Sequence, residues 1–301
     1  MTDAASALPK PDAGQVLVRV HASSINPIDL QLASRAIARG VPQRPSATLG
    51  FDLAGVVFST GARVTRFAIG DRVYGRIDAK TGGAHARHAL VSAEVIDHVP
   101  PTLSFAEAAA LPLTAMTALQ GMRLLAVRPG DHVLVNGAAG GVGVAAVQVA
   151  RAMGGEVTAV ARMTAAERLR QVGASAVVDR AMMDELARMG PFDAVFDATA
   201  RPWDNLRPLI GPRGRFASTG ISASLAIHAT LGRLWSRQRA HFIVSRADGA
   251  LMSSVSAMVS RGELMPVIDR VFPLERIGDA FRHLAAGGVT GKVIVTMDSG
   301  N

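Results

Sequence analysis

Apolar and polar residues divide the chain into two textures. Val16 to Val20 reads as a strand, and Leu53 to Phe58 is a second apolar run rich in β-branched side chains. Gly70-Asp71-Arg72-Val73-Tyr74-Gly75 reads as a turn feeding a short strand, with a glycine at each end. Gly, Pro and Asp cut roughly the first 100 residues into such short pieces, the mark of a small β-rich domain. The pattern changes near Leu103. Ser104 followed by Glu107 has the capping-box spacing ahead of an alanine-rich helical stretch, and Thr114 to Ala126 reads as a second helix broken by Arg128-Pro129-Gly130-Asp131. Strands and helices then alternate, with strands over His132–Val135, Val157–Val160, Ala176–Val178 and Ala194–Phe196 and helices over about Val142–Met153 and Ala165–Val172. Alternation of this kind calls for a parallel sheet wrapped by helices. Arg215–Thr219 and Ala240–Val244 supply further strands, and after Gly262 short strands return with one helix, Ile277–Ala286, ended by Gly287-Gly288. The expected class is α/β. A β-rich domain (1–110 and 263–301) is interrupted by a doubly wound parallel-sheet domain of the Rossmann type (111–262), with no internal repeat or low-complexity linker.

The sharpest chemical signal lies in the second texture. Val133-Leu134-Val135-Asn136 leads into Gly137-Ala138-Ala139-Gly140-Gly141-Val142-Gly143 and then into the helix from Val144 onward. Glycines there let the backbone approach a pyrophosphate, whose charge is met by N–H groups at the helix start. A glycine pattern alone is weak evidence. This one has the preceding strand, the following helix and the next strand at Val157–Val160, which is the context that gives it meaning.

An NAD-preferring site usually places an acid about 20 residues beyond the glycines to bind the ribose hydroxyls. That stretch here is Val160-Ala161-Arg162-Met163-Thr164, with no acid. Arg162, helped by Thr164 and at lower weight Arg168, suits a 2′-phosphate instead, so NADPH is the expected cofactor; a solvated surface charge is the alternative for each arginine.

Composition narrows the field further. With 301 residues, 49% of them hydrophobic, the chain can form two domains with a sizeable core. The absence of cysteine excludes disulfides, thiolate zinc ligands and a cysteine nucleophile. No apolar run reaches the roughly 20 residues that span a bilayer, and Met1–Asp12 lacks the layout of a secretory signal, so a soluble, cytoplasmic protein is expected. The net charge of +8 favours anionic partners. Scattered basic residues and scarce aromatics, one Tyr and two Trp, argue against nucleic acid as the main partner. A phosphate-rich cofactor accounts for part of the charge.

The chain also resembles the zinc-independent quinone oxidoreductases, zeta-crystallin-like members of the medium-chain dehydrogenase/reductase superfamily, and the related enone and enoyl reductases. The matching segments are Pro9-Lys10-Pro11 with Gly14-Gln15-Val16-Leu17, Ser24-Ile25-Asn26-Pro27-Ile28-Asp29, Leu49-Gly50-Phe51-Asp52 with Gly55-Val56-Val57, and Gly70 to Gly75. They continue through Leu111 to Ala118, the glycine-rich turn, Pro266 to Asp269 and Gly291-Lys292-Val293. The resemblance implies a GroES-like catalytic domain beside the Rossmann domain, a small-molecule substrate and a homodimer. It puts Asn26 against the nicotinamide and the substrate carbonyl, Thr117 near the nicotinamide ribose, and Lys292 within reach of the cofactor. An Asx turn before Pro27 is the alternative for Asn26, and a surface charge for Lys292.

Zinc-dependent relatives carry a cysteine and a Gly-His-Glu segment where this chain has Gly50-Phe51-Asp52, so no metal is expected. His85 and His88 are the nearest pair of ligand type, on a strand expected to face solvent or pack locally. Ala138 stands where the generic pattern has its first glycine. By family comparison the chain begins about twenty residues late, which predicts an unpaired strand edge or a misassigned start. The reaction implied is hydride transfer from NADPH to a quinone or α,β-unsaturated carbonyl. Reduction of an enoyl thioester and a non-catalytic cofactor- or RNA-binding role stand as alternatives. Tyr74 is read as structural, its ring buried and its hydroxyl bonded.

Overall fold

The fold is taken from a computed structural model that describes residues 8–38, 49–77, 83–234 and 236–297. Its first part runs β1 (Gln15–Ile25), α1 (Pro27–Ala38), β2 (Asp52–Thr60), β3 (Arg72–Arg76), β4 (His88–Ser92), β5 (Ile96–His98), α2 (Phe105–Ala109) and α3 (Pro112–Leu124). The middle part runs β6 (His132–Asn136), α4 (Gly141–Ala152), β7 (Glu156–Ala161), α5 (Ala166–Gln171), β8 (Ala176–Asp179), α6 (Met183–Met189), β9 (Phe192–Asp197), α7 (Trp203–Leu206), β10 (Ile210–Ser218), α8 (Ala223–Leu231), β11 (Arg239–Phe242) and α9 (Gly249–Ser260). The chain closes with β12 (Ile268–Pro273), α10 (Ile277–Ala286) and β13 (Lys292–Thr296).

The strands form two sheets. Six parallel strands lie in the order β11-β10-β9-β6-β7-β8, so that counting from β6 the order is 3-2-1-4-5-6. Alternation along β6 decides which face packs where: Val133 and Val135 join α3, α4 and α9 in one core, while Leu134 joins Leu186, Trp203 and Leu225 in another. Helices therefore cover both faces, as a parallel sheet requires. The second sheet joins β1–β5 to β12 and β13, so the chain's last strands complete a sheet begun by its first.

Local sequence accounts for several boundaries. Ser104 and Glu107 form a complete capping box at the start of α2. Pro112 at the first turn sets the start of α3 two residues ahead of the expected Thr114. β1 extends through Ile25, beyond the expected Val20, because Ala22–Ile25 pairs with β13. That contact, with β4 along Gln15–Arg19 and β2 on the other side, makes β1 an interior strand. α1 and α6 to α9 gave no signal that was read as helix, and α1 starts where Asn26 precedes a proline, a pair read as a turn. No described helix is long and apolar enough to cross a membrane.

Candidate active site

In a sheet of this order, crossovers leave β6 and β9 in opposite directions, which opens a crevice at the carboxyl ends of those two strands. The glycine-rich turn sits there. Gly137 closes β6 with φ +75, a conformation that favours glycine, and an added Cβ would lie 2.4 Å from Thr199 Cγ2. Ala138 needs no positive φ and is buried, which is why alanine serves at that position. Gly140 caps α4 without any side-chain hydrogen bond, so the first N–H groups of the helix have no side chain competing for them.

Asp197, fully buried at the end of β9, fixes the opposite lip. Its Oδ1 accepts hydrogen bonds from Asn136 Nδ2 (2.8 Å), Thr199 N (3.1 Å) and Thr199 Oγ1 (2.8 Å), and its Oδ2 accepts from Arg201 N (2.9 Å) and Ser218 Oγ (2.8 Å). Between the lips lies a cleft of about 490 Å³ lined by Gly137, Gly140, Arg162, Arg180, Thr199 and Arg201, among others. Arg162 and Arg180 have no carboxylate or other hydrogen-bond partner among the described residues. An electropositive, glycine-floored cleft of this kind is suited to a phosphorylated dinucleotide.

A second cleft of about 260 Å³ continues from the first, sharing Gly137, Gly140, Ala198 and Val289 with it and adding Ile25, Asn26, Leu113, Thr114, Leu284 and Lys292. Its floor is a buried polar network. Lys292 Nζ donates to Asn26 Oδ1 (2.6 Å) and Ile25 O (3.2 Å), and lies 3.5 Å from Asp52 Oδ2. Asp52 Oδ2 accepts from Ser24 Oγ (2.6 Å) and Asn26 Nδ2 (2.9 Å), while its Oδ1 accepts from Leu113 N (2.7 Å). An ammonium on one side and a carboxylate on the other fix which way the Asn26 amide points. Burial holds the Lys292 amine below the usual lysine range, against the pull of Asp52 and Asp29.

Beneath this network lie Asp29 and His85. Asp29 accepts from Asn26 N (2.8 Å) and Gly50 N (3.0 Å), and burial pushes its carboxyl up to about 6. His85 is bonded through Nδ1 to Ser23 Oγ at 2.8 Å, and its Nε2, buried and without a hydrogen-bond partner among the described residues, lies 4.0 Å from Asp29 Oδ2. Burial lowers its imidazole to about 4. Of the two alternatives expected for this region, solvent-facing or locally packed, His85 takes the second and packs edge-on against Phe281.

The expected site residues separate into three groups. Arg162, Asn26, Lys292 and the turn Gly137 to Gly143 come together along the two clefts, save Ala138, which is buried behind the turn and lines neither. Thr117 does not line them: its hydroxyl bonds Leu113 O and Ser245 Oγ, both at 2.6 Å, and Thr114, nearly one turn earlier on α3, faces the cleft instead. Thr164 and Arg168 are exposed and line neither cleft. The structure also corrects two details. Lys292 is buried and not a surface charge, and the Asn26 side chain forms no Asx turn but has both ends engaged in the network. Tyr74 is buried, with its hydroxyl 2.9 Å from Ser256 Oγ, away from both clefts. Sequence reasoning missed Arg180, Arg201, Asp197 and the Asp52–Asp29–His85 cluster. Position at a strand's carboxyl end was the available signal for Arg180 and Asp197.

Comparison with known proteins agrees with this geometry. A family profile described as "Alcohol dehydrogenase GroES-like domain" matches residues 12–101, and one described as "Zinc-binding dehydrogenase" matches 172–295. A zinc-type alcohol dehydrogenase-like protein of Schizosaccharomyces pombe is 30% identical, over 94% of this chain and 87% of its own length. The polyketide synthase component PikAII of Streptomyces venezuelae is 34% identical over 99% of this chain, which corresponds to 8% of that much longer protein. The solved quinone oxidoreductase of Coxiella burnetii superposes with a TM-score of 0.84 at 28% identity, covering 97% of this chain and 93% of the other.

Proposed function

This chain belongs to the medium-chain dehydrogenase/reductase family, on its quinone oxidoreductase side, and from that premise we propose that it reduces a quinone or an α,β-unsaturated carbonyl with NADPH, without zinc. The family is one of NAD(P)H oxidoreductases; the preference for NADPH, the acceptor and the independence of zinc are the inference. The observation that carries it is the continuity of the two clefts across the glycine turn. One end offers Arg162 and Arg180, unpaired among the described residues, and the other a small cavity with apolar walls and a polar floor.

In this reading 111–262 is the cofactor-binding domain, and 1–110 with 263–301 the catalytic one. Main-chain N–H groups at the start of α4 hold the pyrophosphate, and Arg162 with Arg180 hold the 2′-phosphate. The bound cofactor supplies a hydride. Ile25, Leu113 and Leu284 exclude water and orient an electron-poor carbon, which is where the protein's contribution to such a reaction lies. Zinc independence is supported by the absence of cysteine and by the Lys292 ammonium, which already places a positive charge beside Asp52. The apolar Ile227, Leu231 and Phe242, exposed on α8 and the edge strand β11, support a homodimer, to be checked by light scattering.

The test is a titration with NADPH and NADH, followed by an acceptor panel read at the nicotinamide absorbance. Tighter NADPH binding and turnover of a quinone or enone, undiminished by thorough chelation, are expected. Turnover of an enoyl thioester in preference to both would favour a second reading, supported by the match to the polyketide synthase component. Failure to bind either cofactor would refute the proposal.

A further inference from the structure

The mechanism so far leaves one question open: which group meets the negative charge that develops on the acceptor's oxygen as hydride arrives? Asn26 is not available for it. Both Nδ2 protons point inward, to Asp52 Oδ2 at 2.9 Å and Ser24 O at 3.3 Å, and its oxygen is held by Lys292. Thr114 spends its hydroxyl proton on the backbone carbonyls of Ala110 and Leu111, just ahead of its helix, at 2.9 and 3.1 Å. Among the described residues, Lys292 is the one cationic side chain lining this cleft.

Three features mark its ammonium as prepared for an anion. First, its charge is incompletely answered. Asp52 is the nearest carboxylate, yet its oxygens are taken by three closer donors, leaving the ammonium at 3.5 Å. Second, the second of its two hydrogen bonds, to Ile25 O at 3.2 Å, is long enough to be exchanged for a better acceptor. Third, the glycine turn makes room for it. A Cβ at Gly141 would stand 2.7 Å from Lys292 Cδ, so this glycine clears the lysine stem as well as the helix start.

Resting on the reductase reading, we infer that Lys292 is the catalytic electrophile of the cleft. Its ammonium receives the oxyanion of the reduced enone or quinone, and Asn26 with Asp52 are positioning residues that hold it there. Lys292 keeps its protons in this step. The pair of electrons brought by hydride ends on the acceptor's oxygen as an enolate or quinol anion, which then takes a proton from water. Preorganised charge aimed at a developing oxyanion is commonly the largest single contribution to such catalysis.

The readout itself needs no bound cofactor. 4-Nitrophenol carries the same oxyanion and changes colour on ionisation, so its apparent pKa when bound to the cofactor-free protein reports the charge facing it. A cation within about 4 to 6 Å lowers an acid's pKa by one unit or more, so the bound phenol should ionise at least about tenfold more readily than the free one. Lys292→Met should abolish the shift. Because that change strands Asp52 in the interior, the pair is also removed together in Lys292→Met/Asp52→Asn, which leaves neither member of the pair without the other. Loss of the shift in a folded double variant that still binds NADPH supports the assignment. A shift that persists in it, or a wild-type protein that leaves the phenol's pKa unchanged, overturns it. A lysine-dependent shift in a protein that turns over no quinone, enone or enoyl thioester would uphold the oxyanion site and defeat the reductase reading, so the two fail separately.

Discussion

Asp197→Asn is the most direct probe of how the fold holds the cofactor cleft together. The native carboxylate accepts five hydrogen bonds and donates none. In the variant, the amide oxygen takes the place of Oδ1, where three donors converge, because the reverse orientation would set an NH2 against Asn136 Nδ2 and Thr199 N. The NH2 then replaces Oδ2 and faces Ser218 Oγ and Arg201 N. A serine hydroxyl can turn and accept, but a backbone N–H cannot. One charge-assisted hydrogen bond is lost and two buried donors are opposed, which together cost about 2 to 4 kcal/mol. The damage falls on Arg201 and Thr199, both on the wall of the larger cleft, so NADPH affinity should fall by about tenfold or more as that segment loosens. Urea unfolding followed by far-UV circular dichroism measures the first effect and fluorescence titration the second. An unfolding free energy within about 0.5 kcal/mol of wild type, the range of an ordinary surface change, would refute the reasoning.

Arg162→Ala and Arg180→Ala should each reduce the preference for NADPH over NADH by about tenfold to a hundredfold, as losing a charged hydrogen bond of about 1.5 to 3 kcal/mol implies; an unchanged ratio of dissociation constants would place the phosphate elsewhere. Tyr74→Phe should keep most of its turnover while losing about 1 kcal/mol of stability, because among the described residues the hydroxyl bonds only Ser256 and faces neither cleft; a crippled enzyme with normal stability would contradict this. The pH dependence of stability should carry two opposed contributions. Asp29, raised to about 6, stabilises fully below its unfolded value of 3.8 and loses that contribution as pH rises through about 6. His85, lowered to about 4, stabilises fully above 6.5 and loses that contribution as pH falls through about 4. Asp29→Asn removes the first alone, so unfolding measured between about pH 4 and 6 should become more strongly stabilised with rising pH than in wild type. An unchanged slope would show that the pair does not titrate in this way.

Much of the parallel-sheet half was legible because its signals are local. A buried strand, a turn that needs glycine at Gly137 and a helix that follows it are dictated by neighbours within a dozen residues or so, and the order of those pieces admits few topologies. The expected place of the cofactor's phosphates came from the same stretch, and Arg162 does lie at the end of the next strand. Family likeness supplied Asn26 and Lys292, but not what they do to each other. Those two residues are 266 positions apart and meet only because β13 returns to pair with β1. Sequence distance says nothing about that pairing, nor about the burial that turns a lysine expected near the cofactor, or else at the surface, into an ammonium held beneath the cleft. Thr117 and Thr114 show the same division. Both are threonines on one helix, three residues apart, and packing against Ser245 turns one inward while the other borders the cavity. Periodicity and turn chemistry determined which elements form; which side chains share a site was decided by the closure of the mixed sheet when β13 pairs with β1, a long-range contact with no local signature.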